Sequence, residues 1–182
     1  KLRDDLERFA QDGRPVLGIC NGFQVLLKAG LLPYTDFASG DEREVTLTYN
    51  ENGHFECRWV YLRPNPRSVS LFTEGIDDLL YVPVAHGEGR VLTRSEESTQ
   101  RLWNKGLVAL TYTDSDGEPV GYPQNPNGSV SGIAALCNHE GNVMGLMPHP
   151  EDHIYPWQHP RVHRGERGGS GLVLFKNGIR HA

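Results

Sequence analysis

A cysteine between two glycines is the residue of this chain best placed for nucleophilic chemistry. Cys20 ends a short apolar run at residues 16–19, lies between Gly18 and Gly22, and precedes a segment with helical spacing. In such a strand-to-helix turn neighbouring Cβ atoms would collide, so flanking glycines leave the central side chain exposed above the sheet. The free N–H groups of a helix start also stabilise an anionic sulfur. The pattern predicts Cys20 as a nucleophile.

A histidine and a glutamate near the C-terminus can complete the site. His149 and Glu151 lie in the sequence MPHPE at residues 147–151, which overlaps the end of a predicted strand at residues 143–147. The carboxyl ends of strands are where α/β folds gather catalytic groups. Residues two apart face each other only in an extended or turned segment, which the neighbouring prolines favour. We therefore predict a triad in which His149 is the base for Cys20 and Glu151 orients the imidazole.

Alternating helices and strands must position these residues. Hydrophobic spacing, glycine stops and the N-cap Ser95 predict helices at residues 2–12, 21–29 and 95–105. Strands are predicted at residues 16–19, 80–84, 107–112, 132–137 and 143–147. Two alternating runs, residues 45–49 and 55–61, flank Asn52 and Gly53 and predict a β-hairpin. This order indicates an open α/β sheet with an antiparallel extension.

The remaining cysteines and histidines have structural interpretations. Cys57 alternates with Phe55 and Trp59, and Cys137 ends an apolar run at residues 133–136, so we expect both thiols to pack in the core. Most of the eight histidines are expected on the surface or in loops. Those of the polar C-terminal stretch are the clearest examples: His153, His159, His163 and His181.

Composition limits the class of protein. The 182 residues and 37% hydrophobic content suit one domain with one core, and no apolar run approaches the roughly 20 residues that cross a membrane. Three cysteines without a C-x-x-C pair fit neither a disulfide framework nor a zinc site, which indicates a reducing, cytoplasmic compartment and no metal. The formal net charge of −5 argues against nucleic-acid binding, which needs a clustered basic surface.

Five segments carry a resemblance to one enzyme family. They are GICNGFQ at residues 18–24, FECRW at 55–59, AHGEGR at 85–90, NPNGS at 125–129 and GLMPHPE at 145–151. Together they resemble the glutaminase subunits of phosphoribosylformylglycinamidine synthase, which are class I glutamine amidotransferases of purine biosynthesis. The first and last segments are specific for the class. The other three point to the purine branch rather than to the carbamoyl phosphate, anthranilate or GMP branches.

The resemblance implies a fold and an activity. It implies a three-layer, flavodoxin-like glutaminase domain over residues 1–182, with a mostly parallel sheet. Glutamine would be hydrolysed through a thioester on Cys20, which releases ammonia. A separate synthetase subunit with ATP and Mg²⁺ would use this ammonia to convert formylglycinamide ribonucleotide to formylglycinamidine ribonucleotide. In some complexes a third small subunit would take part. No cofactor is expected in this chain, which lacks a G-x-x-x-x-G-K-[ST] loop.

Substrate contacts are also implied by the resemblance. Gln24 and the segments around Phe55 and His86 would contact the glutamine. The backbone N–H of Asn21, directly after the predicted nucleophile, is a candidate oxyanion donor.

Three features stay open at this point. Family members begin with a strand and a glycine-rich loop that are not recognisable before Lys1, so we expect the first strand of the sheet to be missing. The basic stretch with Arg161, Arg164 and Arg167 is interpreted as a solvated tail rather than a site for a phosphorylated ligand. The long loop at residues 114–128 is either a surface excursion or a rim that docks the synthetase.

Two other functions fit the same residues. One is a class I amidotransferase domain that serves a different acceptor, although the FECRW and AHGEGR segments argue against it. The other is a catalytically silent regulatory or scaffolding subunit. Glutamine-dependent ammonia release in the presence of the synthetase separates these alternatives.

Overall fold

A central sheet with an apolar cluster on each face organises the molecule. The structure is a computed structural model that describes residues 3–33, 44–166 and 168–182. The described helices are α1 (Arg3–Gln11), α2 (Asn21–Ala29), α3 (Glu96–Asn104) and α4 (Leu172–Arg180). The described strands are β1 (Val16–Ile19), β2 (Val45–Thr48), β3 (Glu56–Pro64), β4 (Leu80–His86), β5 (Arg90–Thr93), β6 (Val108–Thr113), β7 (Ile133–Cys137) and β8 (Val143–Leu146).

The sheet is mixed in strand direction. Its order is β1-β8-β7-β6-β3-β4, and β2 pairs with β5 in a separate two-stranded sheet. Strands β1 and β8 are parallel, whereas the other neighbours are antiparallel. The prediction of a mostly parallel sheet is therefore wrong for the described residues. Among these strands, β1 has a neighbour on one side only.

Helices cover both faces of the sheet, which gives the three layers that the family resemblance implies. One apolar cluster joins α1, α2 and α3 to the sheet through Ala10, Phe23 and Leu102. The other cluster lies beneath α4 and includes Leu174 and Phe72. None of the described helices has the length and apolar character needed to cross a membrane.

The predicted hairpin between residues 45–49 and 55–61 does not form. Strand β2 pairs with β5, while β3 pairs with β4 and β6. The turn at residues 50–54 is tied to a different element, because the Asn50 N–H donates to the carbonyl of Gly87 at 2.9 Å. A turn forms at residues 51–54, as Asn52 and Gly53 predict, but long-range contacts decide which strands pair. Strand β5 and helix α4 were not predicted.

Buried and exposed side chains alternate along β3, but the buried face carries the even-numbered residues rather than the predicted odd-numbered ones. Val60 and Leu62 are buried, and the side chain of Cys57 is exposed. The expectation that Cys57 packs in the core is therefore wrong, because the sheet turns the even-numbered residues inward. Cys137 is fully buried, as predicted.

Two histidines of the C-terminal stretch are buried, contrary to prediction. His153 and His159 are 1% and 6% exposed, and their rings pack against Trp59 and Tyr81. The short 3₁₀ turns between residues 150 and 164 fold this stretch back onto β3 and β4. Arg161 forms an ion pair with Glu166 at 3.1 Å. Arg161 and Arg164 are exposed, which agrees with the prediction of a solvated basic stretch, although the turns before it are held by the two buried histidines. Arg167 lies outside the described residues.

Candidate active site

Cys20 occupies a strained turn between β1 and α2. Its backbone has φ 52° and ψ −106°, which non-glycine residues rarely adopt. The conformation is held because the Cys20 N–H donates to the carbonyl of Leu146 at 2.8 Å and α2 begins at the next residue. Strain of this kind concentrates at functional sites, where a sharp strand-to-helix turn exposes a nucleophile.

Two adjacent glycines let α2 pack closely on the sheet. Gly18 of β1 and Gly145 of β8 are register partners. A Cβ at Gly145 would lie 2.1 Å from the Phe23 ring, and one at Gly18 would lie 2.8 Å from the backbone of Gly22. A Cβ at Gly22 would meet no atom within 4 Å. The predicted steric need for glycine therefore holds at Gly18 and is wrong at Gly22.

His149 and Glu151 form a hydrogen-bonded pair in the segment after β8. The His149 N–H donates to the carbonyl of Pro83 at 2.8 Å, which fixes this segment against β4. The Nδ1–H of His149 donates to Oε1 of Glu151 at 2.6 Å. Pro150 begins the short 3₁₀ turn (Pro150–His153) that brings the two side chains together, as the two-residue spacing predicts.

The charge on His149 follows from its two neighbours. Its pKa is raised to about 10, chiefly by the Cys20 side chain and then by Glu151, while burial opposes the shift. Because Nδ1 is used by Glu151, the interaction with Cys20 involves the other end of the ring. Nε2 is buried and has no hydrogen-bond partner within the described residues. The imidazole is therefore protonated at neutral pH and available to hand a proton to a bound group.

The end of β4 forms the wall opposite His149. The carbonyl of Ala85 lies 4.0 Å from the Cys20 sulfur. Gln24 of α2 donates through Nε2 to the carbonyl of Glu88 at 2.9 Å, which ties the helix of the nucleophile to the loop after β4. His86 is buried beside this loop. Three elements, β1-α2, the segment after β8 and the end of β4, thus converge on one sulfur.

The other residues predicted from the resemblance lie around this centre. Asn21 is exposed in the first turn of α2, where helix N–H groups have no partner within the helix. Phe55 is 67% exposed and approaches Gly87 of the same loop. Asn21 and Phe55 are therefore positioned at the rim, whereas the side chains of Gln24 and His86 hold or line the wall.

Asn50 belongs to the site and was not predicted. It is buried, and its amide bonds the loop that contains His86. The sequence shows it only as one of several turn-forming residues before Gly53. Its importance depends on a contact with residues 36 to 39 positions away, which no local pattern encodes.

A cation is a second possible occupant of the acidic end of the site. Ligand atoms of His149, Glu151 and Asp152 lie within 4.8 Å of one another. Two of these three groups already share a hydrogen bond through Nδ1, the only nitrogen of His149 that faces the carboxylate. The arrangement is better suited to holding a proton on the imidazole than to holding a metal ion.

Comparisons with known proteins assign this geometry to a family. The chain matches the CobB/CobQ-like glutamine amidotransferase domain over residues 1–182. It is 41% identical to the phosphoribosylformylglycinamidine synthase subunit PurQ of Treponema denticola, covering 98% of this chain and 70% of that protein. The PurQ subunit of Dehalococcoides mccartyi is 43% identical over 100% of this chain and 69% of that protein.

A solved structure supports the same assignment. The structure of PurLQS from Thermotoga maritima contains a chain with a TM-score of 0.72 and 28% identity to this one, covering 100% of this chain and 68% of that one. The predicted α/β fold of class I glutamine amidotransferases is thereby confirmed. This chain belongs to the glutamine amidotransferase family that includes the PurQ subunits of phosphoribosylformylglycinamidine synthase.

Proposed function

We propose that this chain is the glutaminase subunit of a phosphoribosylformylglycinamidine synthase. The observation that carries the proposal is the convergence of a strained Cys20 turn with the hydrogen-bonded pair of His149 and Glu151 in a chain of the PurQ family. A cysteine nucleophile suits the substrate, because a carboxamide is a poor electrophile and its hydrolysis is best divided into two acyl-transfer steps.

The first step is attack of the Cys20 sulfur on the side-chain carbonyl carbon of glutamine. His149 carries a proton, because its pKa is raised by the nearby Cys20 side chain and by Glu151. A new C–S bond forms, the carbonyl oxygen becomes an oxyanion near the first N–H groups of α2, and Asn21 supplies one donor. The C–N bond then breaks as His149 gives its proton to the departing nitrogen. The products are a γ-glutamyl thioester and ammonia.

The second step returns the enzyme to its starting state. His149, now neutral, takes a proton from a water molecule that attacks the thioester carbonyl. The C–S bond breaks, glutamate leaves, and the proton returns to the pair of Cys20 and His149. Glu151 keeps the same Nδ1–H tautomer through both steps, so that Nε2 always faces the reacting atoms.

The ammonia would be used by a synthetase subunit. We expect that subunit to bind ATP and Mg²⁺ and to convert formylglycinamide ribonucleotide to formylglycinamidine ribonucleotide. The 114–128 loop is a candidate rim for docking it. That loop is anchored to the site wall, because Arg58 donates to the Tyr122 hydroxyl at 3.2 Å and Asn127 donates to the Gly89 carbonyl at 2.8 Å. We treat residues 1–182 as a single glutaminase domain.

The test is a comparison of glutamine and ammonia as nitrogen donors for the complex with the synthetase. Cys20→Ala should abolish glutamine-dependent amidation and leave ammonia-dependent amidation intact, because the two reactions occupy separate sites. Cys57→Ala is the matched control, since Cys57 is exposed and lies outside the site. Glutaminase activity that persists in Cys20→Ala would remove the assignment of the nucleophile.

The same assay separates the alternatives. A silent scaffolding subunit would give no glutamine-dependent ammonia release even in the unaltered chain. An amidotransferase for a different acceptor would release ammonia but give no formylglycinamidine ribonucleotide with the synthetase. Trapping of a γ-glutamyl adduct on Cys20 by mass spectrometry identifies the intermediate directly.

A further inference from the structure

Two aromatic rings stack in solvent on the segment that follows His149 and Glu151. Tyr155 and Trp157 are 49% and 66% exposed. Their ring centroids are 4.5 Å apart, and the ring planes are 6° from parallel. Large apolar side chains are normally buried, and exposed ones that lie side by side mark a surface that another molecule covers.

The backbone around the two rings is well held. Oε1 of Gln158 accepts from the N–H groups of Ile154 and Tyr155, both at 2.8 Å. The Gln158 N–H donates to the Tyr155 carbonyl at 3.1 Å. The short 3₁₀ turn (Pro156–Gln158) also begins with a proline, whose ring fixes φ. A surface that is ordered before binding loses little conformational entropy when a partner arrives.

The same segment differs in charge from the rest of the chain. Residues 153–165 contain two arginines, Arg161 and Arg164, and no acidic residue, whereas the chain has a formal net charge of −5. Both arginines are exposed, although Arg161 also pairs with Glu166. Trp, Tyr and Arg are the residue types that contribute most to binding at protein interfaces. We call residues 153–165 the aromatic-basic surface; its composition indicates a protein partner that is acidic around an apolar centre.

The aromatic-basic surface borders the candidate active site. The 3₁₀ turn that holds Glu151 ends at His153, where the surface begins. The His153 ring packs against Trp59 of β3, with centroids 5.0 Å apart. The register partner of Trp59 is Pro83, whose carbonyl accepts from the His149 N–H at 2.8 Å. A protein on this surface would therefore lie beside the imidazole at which ammonia is released.

We infer that the synthetase subunit docks on the aromatic-basic surface, with Trp157 and Tyr155 in an apolar depression and acidic side chains opposite Arg161 and Arg164. This inference rests on the proposed glutaminase function. Ammonia that escapes into water at neutral pH is protonated and loses its nucleophilic lone pair. The subunit that uses the ammonia must therefore cover the side of the site where it is released, which is the side of His149.

The 114–128 loop is the competing docking surface. Its exposed aromatic residue, Tyr122, is already used within the chain, because Arg58 donates to its hydroxyl at 3.2 Å and lies 5.1 Å from its ring centroid. Arg58 and Trp59 are neighbours in β3, so their side chains point to opposite faces of that strand. The loop and the aromatic-basic surface are thus on different sides of β3, and substitutions can distinguish them.

The dissociation constant of the complex with purified synthetase tests the inference. Trp157→Ala should raise the Kd at least about thirtyfold, and Tyr155→Ala about tenfold. Tyr122→Ala should have a smaller effect than either. Ile179→Ala is the control for loss of an exposed apolar side chain, because Ile179 is 76% exposed in the last turn of α4, and its Kd should stay within about twofold. An unchanged Kd in Trp157→Ala, or a complex that only Tyr122→Ala weakens, would overturn the inference.

Charge and other occupants are tested with the same proteins. Arg164→Glu should slow association with the synthetase, and the effect should shrink at high salt, because charges at the rim of an interface act mainly on the association rate. A free chain that sediments as a dimer, and as a monomer after Trp157→Ala, would assign the surface to a second copy. Binding of a fluorescent oligothymidylate that Trp157→Ala abolishes would assign it to nucleic acid. Either result contradicts docking of the synthetase here.

A measurement on the unaltered chain does not depend on any substitution. Hydroxyl-radical footprinting should oxidise Tyr155 and Trp157 in the free chain and leave both protected in the complex; equal oxidation in the two samples would refute the inference. Cys20 alkylation in the free variants should match that of the unaltered chain, which shows that the site is intact. An unaltered chain that fails to bind the synthetase refutes the proposed function as well, whereas binding that is equal with and without the Trp157 ring refutes this inference alone.

Discussion

Replacing Gly18 by alanine should displace the nucleophile. The added Cβ would lie 2.8 Å from the carbonyl carbon and oxygen of Gly22, and 2.4 Å from a methyl group of Leu26. The Leu26 methyl can rotate away, but the Gly22 backbone belongs to the first turn of α2 and moves only with the helix. Such overpacking typically costs about 1–3 kcal/mol, and here the helix that must shift begins directly after Cys20.

Gly22→Ala is the matched control for this prediction. A Cβ at Gly22 meets no atom within 4 Å, and alanine favours a helix over glycine by up to about 1 kcal/mol. We therefore expect Gly18→Ala to lower the free energy of unfolding and Gly22→Ala to leave it equal or higher. Urea denaturation followed by circular dichroism measures both. The open space at Gly22 also borders the nucleophile, so activity is not the criterion for this variant.

Reactivity at Cys20 gives the second measurement for Gly18→Ala. A displaced α2 carries the sulfur and the first helix N–H groups away from His149, so alkylation of Cys20 and glutaminase turnover should both fall in the folded protein. Equal unfolding free energy and equal turnover in Gly18→Ala and the unaltered chain would refute the close-packing explanation of this turn.

Three further predictions concern titration and reactivity. Glu151→Gln should lower the pKa of His149, shift the alkaline limb of kcat/KM to lower pH, and reduce turnover less than His149→Ala does; equal turnover in the two variants would contradict the triad. The pKa of His86 is about 4 in the folded state and 6.5 in the unfolded state, so between these pH values only the unfolded state binds the proton. The free energy of unfolding should therefore fall by about 3 kcal/mol as the pH drops from 6.5 to 4. Urea unfolding of His86→Asn at several pH values should show no such fall in the free energy of unfolding. A fall of the same size in this variant would mean that other titrating groups cause it. Exposed Cys57 should be alkylated without loss of glutaminase activity, whereas alkylation of Cys20 should abolish it, as peptide mapping after partial modification can show.

Elements with strong local signals were predictable from the sequence. Helix α2 spans Asn21–Ala29, as predicted, and it ends where Gly30 adopts the left-handed conformation that is typical after a helix. Ser95 caps α3 by accepting from the Ser98 N–H, as its residue type predicts. The proximity of Cys20, His149 and Glu151 was also predictable, because each lies in a short motif, whereas their catalytic roles stay a prediction.

Pairing and burial were less predictable, since contacts between distant segments decide them. Helix α4 was missed because Gly178 interrupts a segment rich in glycine, but that glycine is needed where a Cβ would lie 2.7 Å from the Phe72 ring. The polar sequence around His153 and His159 predicts exposed side chains, but the aromatic rings of β3 and β4 pack against both and bury them. The buried face of β3 is likewise selected by the sheet rather than by its own alternation.

The site depends on residues of both kinds. Cys20, His149 and Glu151 have proposed roles that their residue types suggest, whereas Asn50 acts through hydrogen bonds to four atoms, three of which lie 36 to 39 residues away. An amide in this place is the one side chain that can donate to two carbonyls and accept from an N–H and an imidazole at once. A carboxylate lacks the donors, and a hydroxyl lacks the reach. Asn50 thus holds the end of β4, where the Ala85 carbonyl faces the Cys20 sulfur, through contacts that no local pattern encodes.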